Sequence, residues 1–485
     1  MSNAYFIGID IGTQGARVVL LDESGEEFAA ESSGFLLTEN LRIEQSPESW
    51  WQACSGLIKN LTWGLEHTID LNKVKAIAVT STSGTIIPID KNCNPLHPAL
   101  MYSDPRSGPE AKLCKEVAVK EVKEGYTAFN ASSGLPKMLW FLNQYPELVP
   151  AIHKFIHAAD FITGRLCGEY NVTDYTNALK SGYDLHNNKW PDYIDSIIGI
   201  HKKWLQTVRP SGVPVARLNA ELAALWGLPT DVMVTTGVTD GCASQIASGA
   251  MNPGQWNTTI GTTLVIKGVT SNEIKDPSDA IYNHRHPEGY WMPGGASNTG
   301  ADWVSKMFAG QDLHVLGLKA GEQLPSSSMA WPLLQQGERF PFVAPNAKGF
   351  WLRADALPGD ESSQADNLAN ARFDSNNVPL VNNIAGNADL FAACMEGVAF
   401  IERYAYEKIM QLSGEKVENI YSAGGGSDSD TWLKIRSAVT RIPVYKMKNV
   451  SGAAGAAILA ASKTYYHSLQ QAASAMVKPA LIINP

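Results

Sequence analysis

Residues 5–22 read Tyr-Phe-Ile-Gly-Ile-Asp10-Ile-Gly-Thr13-Gln14-Gly-Ala-Arg17-Val-Val-Leu-Leu-Asp22. Tyr5 to Asp10 alternates around apolar residues, Gly12 to Gly15 forms a turn, and Ala16 to Asp22 is a second apolar run closed by Glu23-Ser24-Gly25. This is the pattern of a β-hairpin, and a third strand is expected near Phe28. About half a chain later the plan recurs: Trp256 to Ile260, the turn Gly261-Thr262-Thr263, then Leu264 to Val269. A supersecondary unit repeated at half length predicts two similar domains, each opening with its own hairpin.

Between the hairpins, helical periodicity alternates with short buried strands, which is an α/β arrangement. Helices are expected at Pro47–His67, Ala111–Lys123, Lys137–Gln144, Ala220–Trp226 and from Cys242 to Gly249. Strands are expected at Val74–Thr80 and Val232–Gly237, with Thr85–Asp90 as a hairpin partner of the former. In the second half a long helix near Asp389–Leu412 precedes a strand at Ile420–Ala423, a helix near Thr431–Thr440 and a small-residue helix at Ser451–Ser462. The polar stretch Leu357–Pro379 reads as exposed loop. The expected division is 1–245 and 246–463, with 464–485 packing back on the first domain.

The chain has 485 residues and a net charge of −9, a length for two or three lobes and a charge unsuited to a polynucleotide partner. Six cysteines (54, 93, 114, 167, 242 and 394) show no paired or zinc spacing. They read as free thiols of a cytoplasmic protein. The start of the chain has no basic, then apolar, leader pattern, and the apolar run Ala453–Ala461 falls short of a membrane span, so neither a signal peptide nor a membrane segment is expected.

Four stretches could carry chemistry. In Asp10 to Arg17 a carboxylate ends a strand and a Gly/Thr turn offers N–H groups and a hydroxyl to a phosphate, with Asp10 able to hold a metal ion through water; an ordinary hairpin with Asp as turn former gives the same pattern. In Gly237-Val-Thr-Asp240-Gly, Asp240 lies between a buried strand and a helix, where it could accept a proton from a substrate hydroxyl or simply cap the helix. Gly261-Thr262-Thr263 could hold outer phosphates or be a plain turn. Gly424-Gly425-Gly426-Ser427-Asp428-Ser429 could lay backbone against a nucleoside or be a flexible loop. Gly294–Gly300 is a similar strand-to-helix crossing. No P-loop, dinucleotide fingerprint or nucleophile elbow is present. His284 and His286 have no third metal ligand nearby in sequence.

Taken in order, these motifs resemble the FGGY family of carbohydrate kinases over essentially the whole chain. The matching residues are Asp10-Ile-Gly-Thr13 with Arg17, Glu44 to Trp51, Asp104-Pro-Arg106, Thr239-Asp240-Gly241, Ile260 to Thr263, Gly424 to Gly426 and Gly452 to Ala457. The resemblance implies two ribonuclease H-like (actin-like ATPase) domains around a central cleft, sugar held mainly by the first and ATP by the second, with ATP and Mg²⁺ as cofactors. It implies Asp240 as the base, and Asp10 as a catalytic carboxylate on the Mg²⁺ side that also touches substrate. Ser83, Asp104 and Arg106 would complete the sugar site. Thr13, Gln14 and Arg17 would line the first phosphate loop, Gly261, Thr262 and Thr263 would hold the β/γ-phosphates, and Gly300, Gly425, Gly426 and Ser429 would border the adenosine. Glu44 to Trp51 reads instead as a helix start. Xylulokinases of the family usually carry Met-His-Gly where this chain has Thr82-Ser83-Gly84, and the Thr-Ser-Gly form is more similar to the branch that phosphorylates D-ribulose. The expectation is therefore a D-ribulose kinase, with D-xylulose, another polyol or a sugar acid as alternatives, and an actin-like ATPase or a non-catalytic sugar sensor as the reading from another class. The expected partners are a small sugar and ATP, with a homodimer as the assembly and neither nucleic acid nor membrane.

Overall fold

The computed structural model describes residues 2–36, 38–122, 125–352, 366–367 and 384–485. Of the loop expected at Leu357–Pro379 only Asp366–Asn367 is described, as a short strand beside Phe350–Leu352; the rest lies outside the described residues. Two compact units emerge: Met1–Gly249 with His284–Gly289 and Asn449–Lys478, and Ala250–Asn283 with Tyr290–Lys448 and Pro479–Pro485.

In the first unit the opening hairpin, Tyr5–Gly12 against Gly15–Asp22, continues into Glu27–Gly34, while Tyr5–Gly12 also runs parallel to Val74–Ser81. Met233–Thr235 lies parallel beyond Val74–Ser81, and Pro214–Arg217 closes the edge antiparallel. Alternation along the first strand sends Ile7, Ile9 and Ile11 to one face, where they pack with Trp50, Cys54, Ile58 and Leu61 of the helix Pro47–Leu65. Phe6, Gly8 and Asp10 share the other face. There the helix Gly452–Ser462, buried from Ala453 to Ser462, lies against the strand so closely that a Cβ on Gly8 would fall 1.8 Å from the carbonyl oxygen of Ala453. Its Gly455 meets the helix Asp240–Ser248 the same way, 1.9 Å separating an added Cβ from Ala243 O. Alanine and glycine are thus demanded by backbone-to-backbone packing.

The second unit repeats this order. Gln255–Ile260 pairs antiparallel with Leu264–Gly268, which pairs with Trp291–Ser297; on its other side Gln255–Ile260 runs parallel to Asn419–Ala423, followed by Val444–Met447 and an antiparallel edge strand, Pro479–Ile483. The core gathers Trp256, Trp303, Phe308, Phe391 and Trp432. Under the sheet the guanidinium of Arg436 lies fully buried, its Nε 2.7 Å from Glu402 Oε2 and its Nη2 2.8 Å from Glu402 Oε1, with a further short bond to Ser422 Oγ. Glu402 sits on the long helix Ile384–Ser413.

Two expectations need correcting. The strand expected at Thr85–Asp90 forms at Ile86–Ile89 but does not pair with Val74–Ser81. Gly84, at φ +86°, swings the chain out, and Ile86–Ile89 instead joins Lys154–His157, Ala99–Leu100 and Glu44–Gln45 in a separate small sheet. The expected division at 463 also differs from the contacts: Asn449–Lys478 groups with the first unit because the small-residue helix fits the groove over Gly8, and Pro479–Pro485 returns to the second unit as its edge strand. Among the described residues no helix is long and apolar enough to cross a membrane.

Candidate functional site

Three chain segments end side by side at the carboxyl edge of the first sheet. Asp10 lies inside the strand Tyr5–Gly12, in register with Thr80, and Val238–Thr239 lies parallel to Thr80–Ser81, so Asp10 is level with Val238 while the turn Thr82-Ser83-Gly84 and Asp240 follow a few residues beyond at the same sheet edge. Such an edge is where ligands of α/β sheets collect. Asp240 is the first residue of the helix Asp240–Ser248, which begins two residues before the expected Cys242, and its carboxylate is exposed. One of its oxygens accepts the Gly241 N–H at 2.6 Å.

Asp10 is half-buried. Burial first, and then the charge of Asp240, push its pKa from an ordinary 3.8 up to about 6, while Arg17 across the hairpin opposes the shift. Gly452, at the start of its helix, leaves no room beside the carboxylate: an added Cβ would lie 2.5 Å from Asp10 Oδ2. The raised value means that the folded chain holds this proton more tightly than the unfolded chain, so stability falls as pH rises through the window from 3.8 to about 6 and stays lower above it. In metal-free buffer Asp10→Asn is therefore expected to gain up to about 3 kcal/mol at pH 7.5 and almost nothing below about pH 3. Chemical denaturation of both proteins at the two pH values checks this, and a gain that persists undiminished in acid would refute it.

Ser83 sits at the centre of this edge with its Oγ buried and without a hydrogen-bond partner among the described residues. A buried hydroxyl in that state has its proton and lone pairs open to a further partner. Its neighbours are fixed: Thr82 and Thr85 share a hydroxyl bond of 2.9 Å, and Gly84 abuts Ser132 O. Asp104 and Arg106 are bound to each other instead. The buried Asp104 carboxylate takes Arg106 Nε at 2.9 Å and Nη2 at 2.8 Å, while Nη2 also reaches Glu44 at 2.6 Å and the guanidinium stacks on Trp140. In the first hairpin turn, Gln14 and Arg17 are exposed and Thr13 is half-buried, its carbonyl accepting from Gln45 Nε2 at 3.0 Å.

The second unit carries a cavity of about 1090 Å³, lined among others by Gly261, Gly425, Gly426, Ser429, Phe391 and Trp432. Its size and apolar wall suit a nucleoside, and its glycines expose backbone. An added Cβ on Gly261 or Gly425 would meet nothing within 4 Å. Ser429 Oγ caps the helix Asp430–Thr440 by accepting from Trp432 N at 3.2 Å. Gly300 does not line the cavity. It backs the turn Gly261-Thr262-Thr263, where a Cβ would fall 2.4 Å from Thr262 O, and Thr262 itself is the exposed tip. Glu338, which nothing in the local sequence marks, anchors that region: buried, it accepts from Ser297 Oγ at 2.8 Å, Asn298 N at 2.7 Å and Thr299 Oγ1 at 2.8 Å.

Family models match both units, the N-terminal domain of the FGGY carbohydrate kinases over residues 5–247 and the C-terminal domain over residues 256–464. The chain belongs to the FGGY family of carbohydrate kinases. As a member it is a phosphotransferase that phosphorylates a small carbohydrate with ATP. It is 25% identical to a xylulose kinase of Bacillus subtilis over 99% of this chain and 93% of the relative. To a gluconokinase of Bacillus licheniformis it is 26% identical, over 90% of this chain and 83% of that one. Among solved structures the FGGY fold recurs in the xylulose kinase of Rhodospirillum rubrum, at 23% identity and a TM-score of 0.80, covering 99% and 94% of the two chains. It recurs also in Plasmodium falciparum glycerol kinase with ADP, at 16% identity and a TM-score of 0.79, covering 100% and 94%.

Proposed function

We propose that the first unit holds the sugar between Asp10, Ser83 and Asp240, that the second holds ATP against Gly261, Gly425, Gly426 and Ser429, and that Asp240 receives the proton of the accepting hydroxyl. The observation that carries this reading is the partnerless Ser83 Oγ between two carboxylates at one sheet edge. The hydroxyl oxygen bonds to the γ-phosphorus of ATP, the bond from that phosphorus to the β,γ-bridging oxygen breaks, ADP leaves, and the hydroxyl proton passes to Asp240. A weak base suffices, because the loose transition state of phosphoryl transfer depends on alignment and charge neutralisation more than on proton abstraction. The donor set around Asp10, one carboxylate with a second negative charge beside it, fits Mg²⁺, which keeps several waters and takes one or two carboxylates plus substrate phosphates. Bound there, Mg²⁺ would supply charge neutralisation at the phosphates. Thr13 and the backbone of its turn, braced by Gln45, would offer N–H and hydroxyl donors to a phosphate.

For the sugar, chain-length likeness to xylulose kinases moves D-xylulose ahead of D-ribulose. Ser83 in place of an imidazole is the specific observation that keeps D-ribulose as the second reading. A coupled ADP-release assay with Mg-ATP over D-xylulose, D-ribulose, pentitols and gluconate tests this. The expected result is a kcat/KM for one ketopentose exceeding that for the other sugars by about tenfold or more. Preference for gluconate would discard the ketopentose, and ATP turnover indifferent to every sugar would favour the ATPase or sensor reading.

A further inference from the structure

Asp240 follows a strand of only two residues, Val238–Thr239, and Thr239 caps the helix without a side-chain bond of its own. Besides the ladder to Thr80–Ser81, the backbone at this point is held by a distant segment. Thr239 N–H donates to Thr176 Oγ1 at 2.8 Å, in a buried contact. Thr176 Oγ1 in turn donates its single proton to Asp174 Oδ1 at 2.6 Å, so its lone pairs are left facing Thr239. Asp174 is fully buried and is locked by further donors: Thr176 N at 2.7 Å, Asn177 N at 3.3 Å, Ser211 Oγ at 3.2 Å and Asn177 Nδ2 at 2.6 Å. The other end of the segment is clamped by Ser181 Oγ, 2.9 Å from His157 Nε2, whose Nδ1 lies 2.9 Å from Asp160 Oδ2. The same segment reaches the Ser83 turn, since Lys180 Cδ lies 3.6 Å from where a Cβ of Gly84 would stand.

We propose that Thr176 is a positioning residue for Asp240: its hydroxyl transmits the rigidity of the buried Asp174 cluster to the peptide immediately before the base. The inference rests on Asp240 acting as the base. Thr176 is buried and acts through Thr239, fixing the direction in which the Asp240 carboxylate leaves the sheet edge. A displacement of the order of an ångström at a reacting group costs roughly a hundredfold in rate, so loss of this bond should appear in kcat.

The test compares T176V, T176S and D240N in the full-length kinase, by steady-state kinetics with the preferred sugar and by calorimetric titration of ATP. T176V is expected to lower kcat by about 10- to 100-fold with the sugar KM and ATP Kd changed less than about threefold, and T176S, which keeps the hydroxyl, to recover most of kcat. A merely structural role would move KM, Kd and melting together and would not separate Ser from Val. Should T176V not fold, T176A removes the hydroxyl with less bulk and carries the same expectation. Near-normal kcat in T176V beside an inactive D240N would overturn the positioning role alone, as would a T176S no better than T176V. Near-normal turnover in D240N would remove the base itself and the inference with it.

Discussion

Asp240→Asn is expected to lower kcat by about 10³-fold or more, with ATP affinity within about threefold of the parent, because a positioned base contributes roughly 10² to 10⁴ and the amide can neither take the proton nor orient the hydroxyl as an anion does. Asparagine keeps the size of the side chain, and its carbonyl oxygen can still accept the Gly241 N–H, so the helix start survives the change. The cavity proposed for the nucleotide belongs to the second unit and is built from other residues. Coupled ADP release gives the rate and calorimetric titration the ATP affinity. Turnover within tenfold of the parent would end the assignment of Asp240 as base.

Arg436→Ala is expected to cost about 3–5 kcal/mol, since it leaves the carboxylate of Glu402 buried without its counter-charge. Both side chains are fully buried, and the guanidinium meets the carboxylate through two bonds while also holding Ser422 on the strand that delivers Gly424–Gly426. Loss of ATP affinity should accompany loss of stability for that reason. Removing both charges should hurt less: Arg436→Met with Glu402→Leu is expected to regain most of the deficit, because well-packed apolar pairs of similar volume often replace buried ion pairs without loss. Denaturant unfolding of the parent and the two variants decides the matter, and an Arg436→Ala cost below 1 kcal/mol would show that water reaches the pair.

The repeated hairpin made the two-domain plan legible, because alternation and a Gly/Thr turn at half-chain spacing are local signals. The strand end before Asp240 was legible from its apolar run, whereas the first strand, expected to end at Asp10, continues to Gly12 in the hairpin ladder. Ser83 was readable as a site residue only through the family motif; its orphaned hydroxyl became visible in three dimensions. Thr176, Glu338 and the brace of Gln45 on Thr13 were not readable, since each acts through a partner dozens of residues away and no periodicity records such a bond. Ile86–Ile89 was placed in the wrong sheet because its apolar pattern fixes a strand but not its neighbour. Gly452 to Ala457 stood out as a motif. Its reason, contact with Gly8 and Asp10, appears only when the two ends of the sequence are seen together.

That contact sets an order on the birth of the protein. Residues 1–249 leave the ribosome long before the helix Gly452–Ser462 that must lie over Gly8. At a synthesis rate of about 5–20 residues per second, some two hundred intervening residues amount to a wait on the order of 10–40 s. Throughout that interval the nascent first unit carries an uncovered apolar sheet face, a surface on which a holding chaperone has time to act.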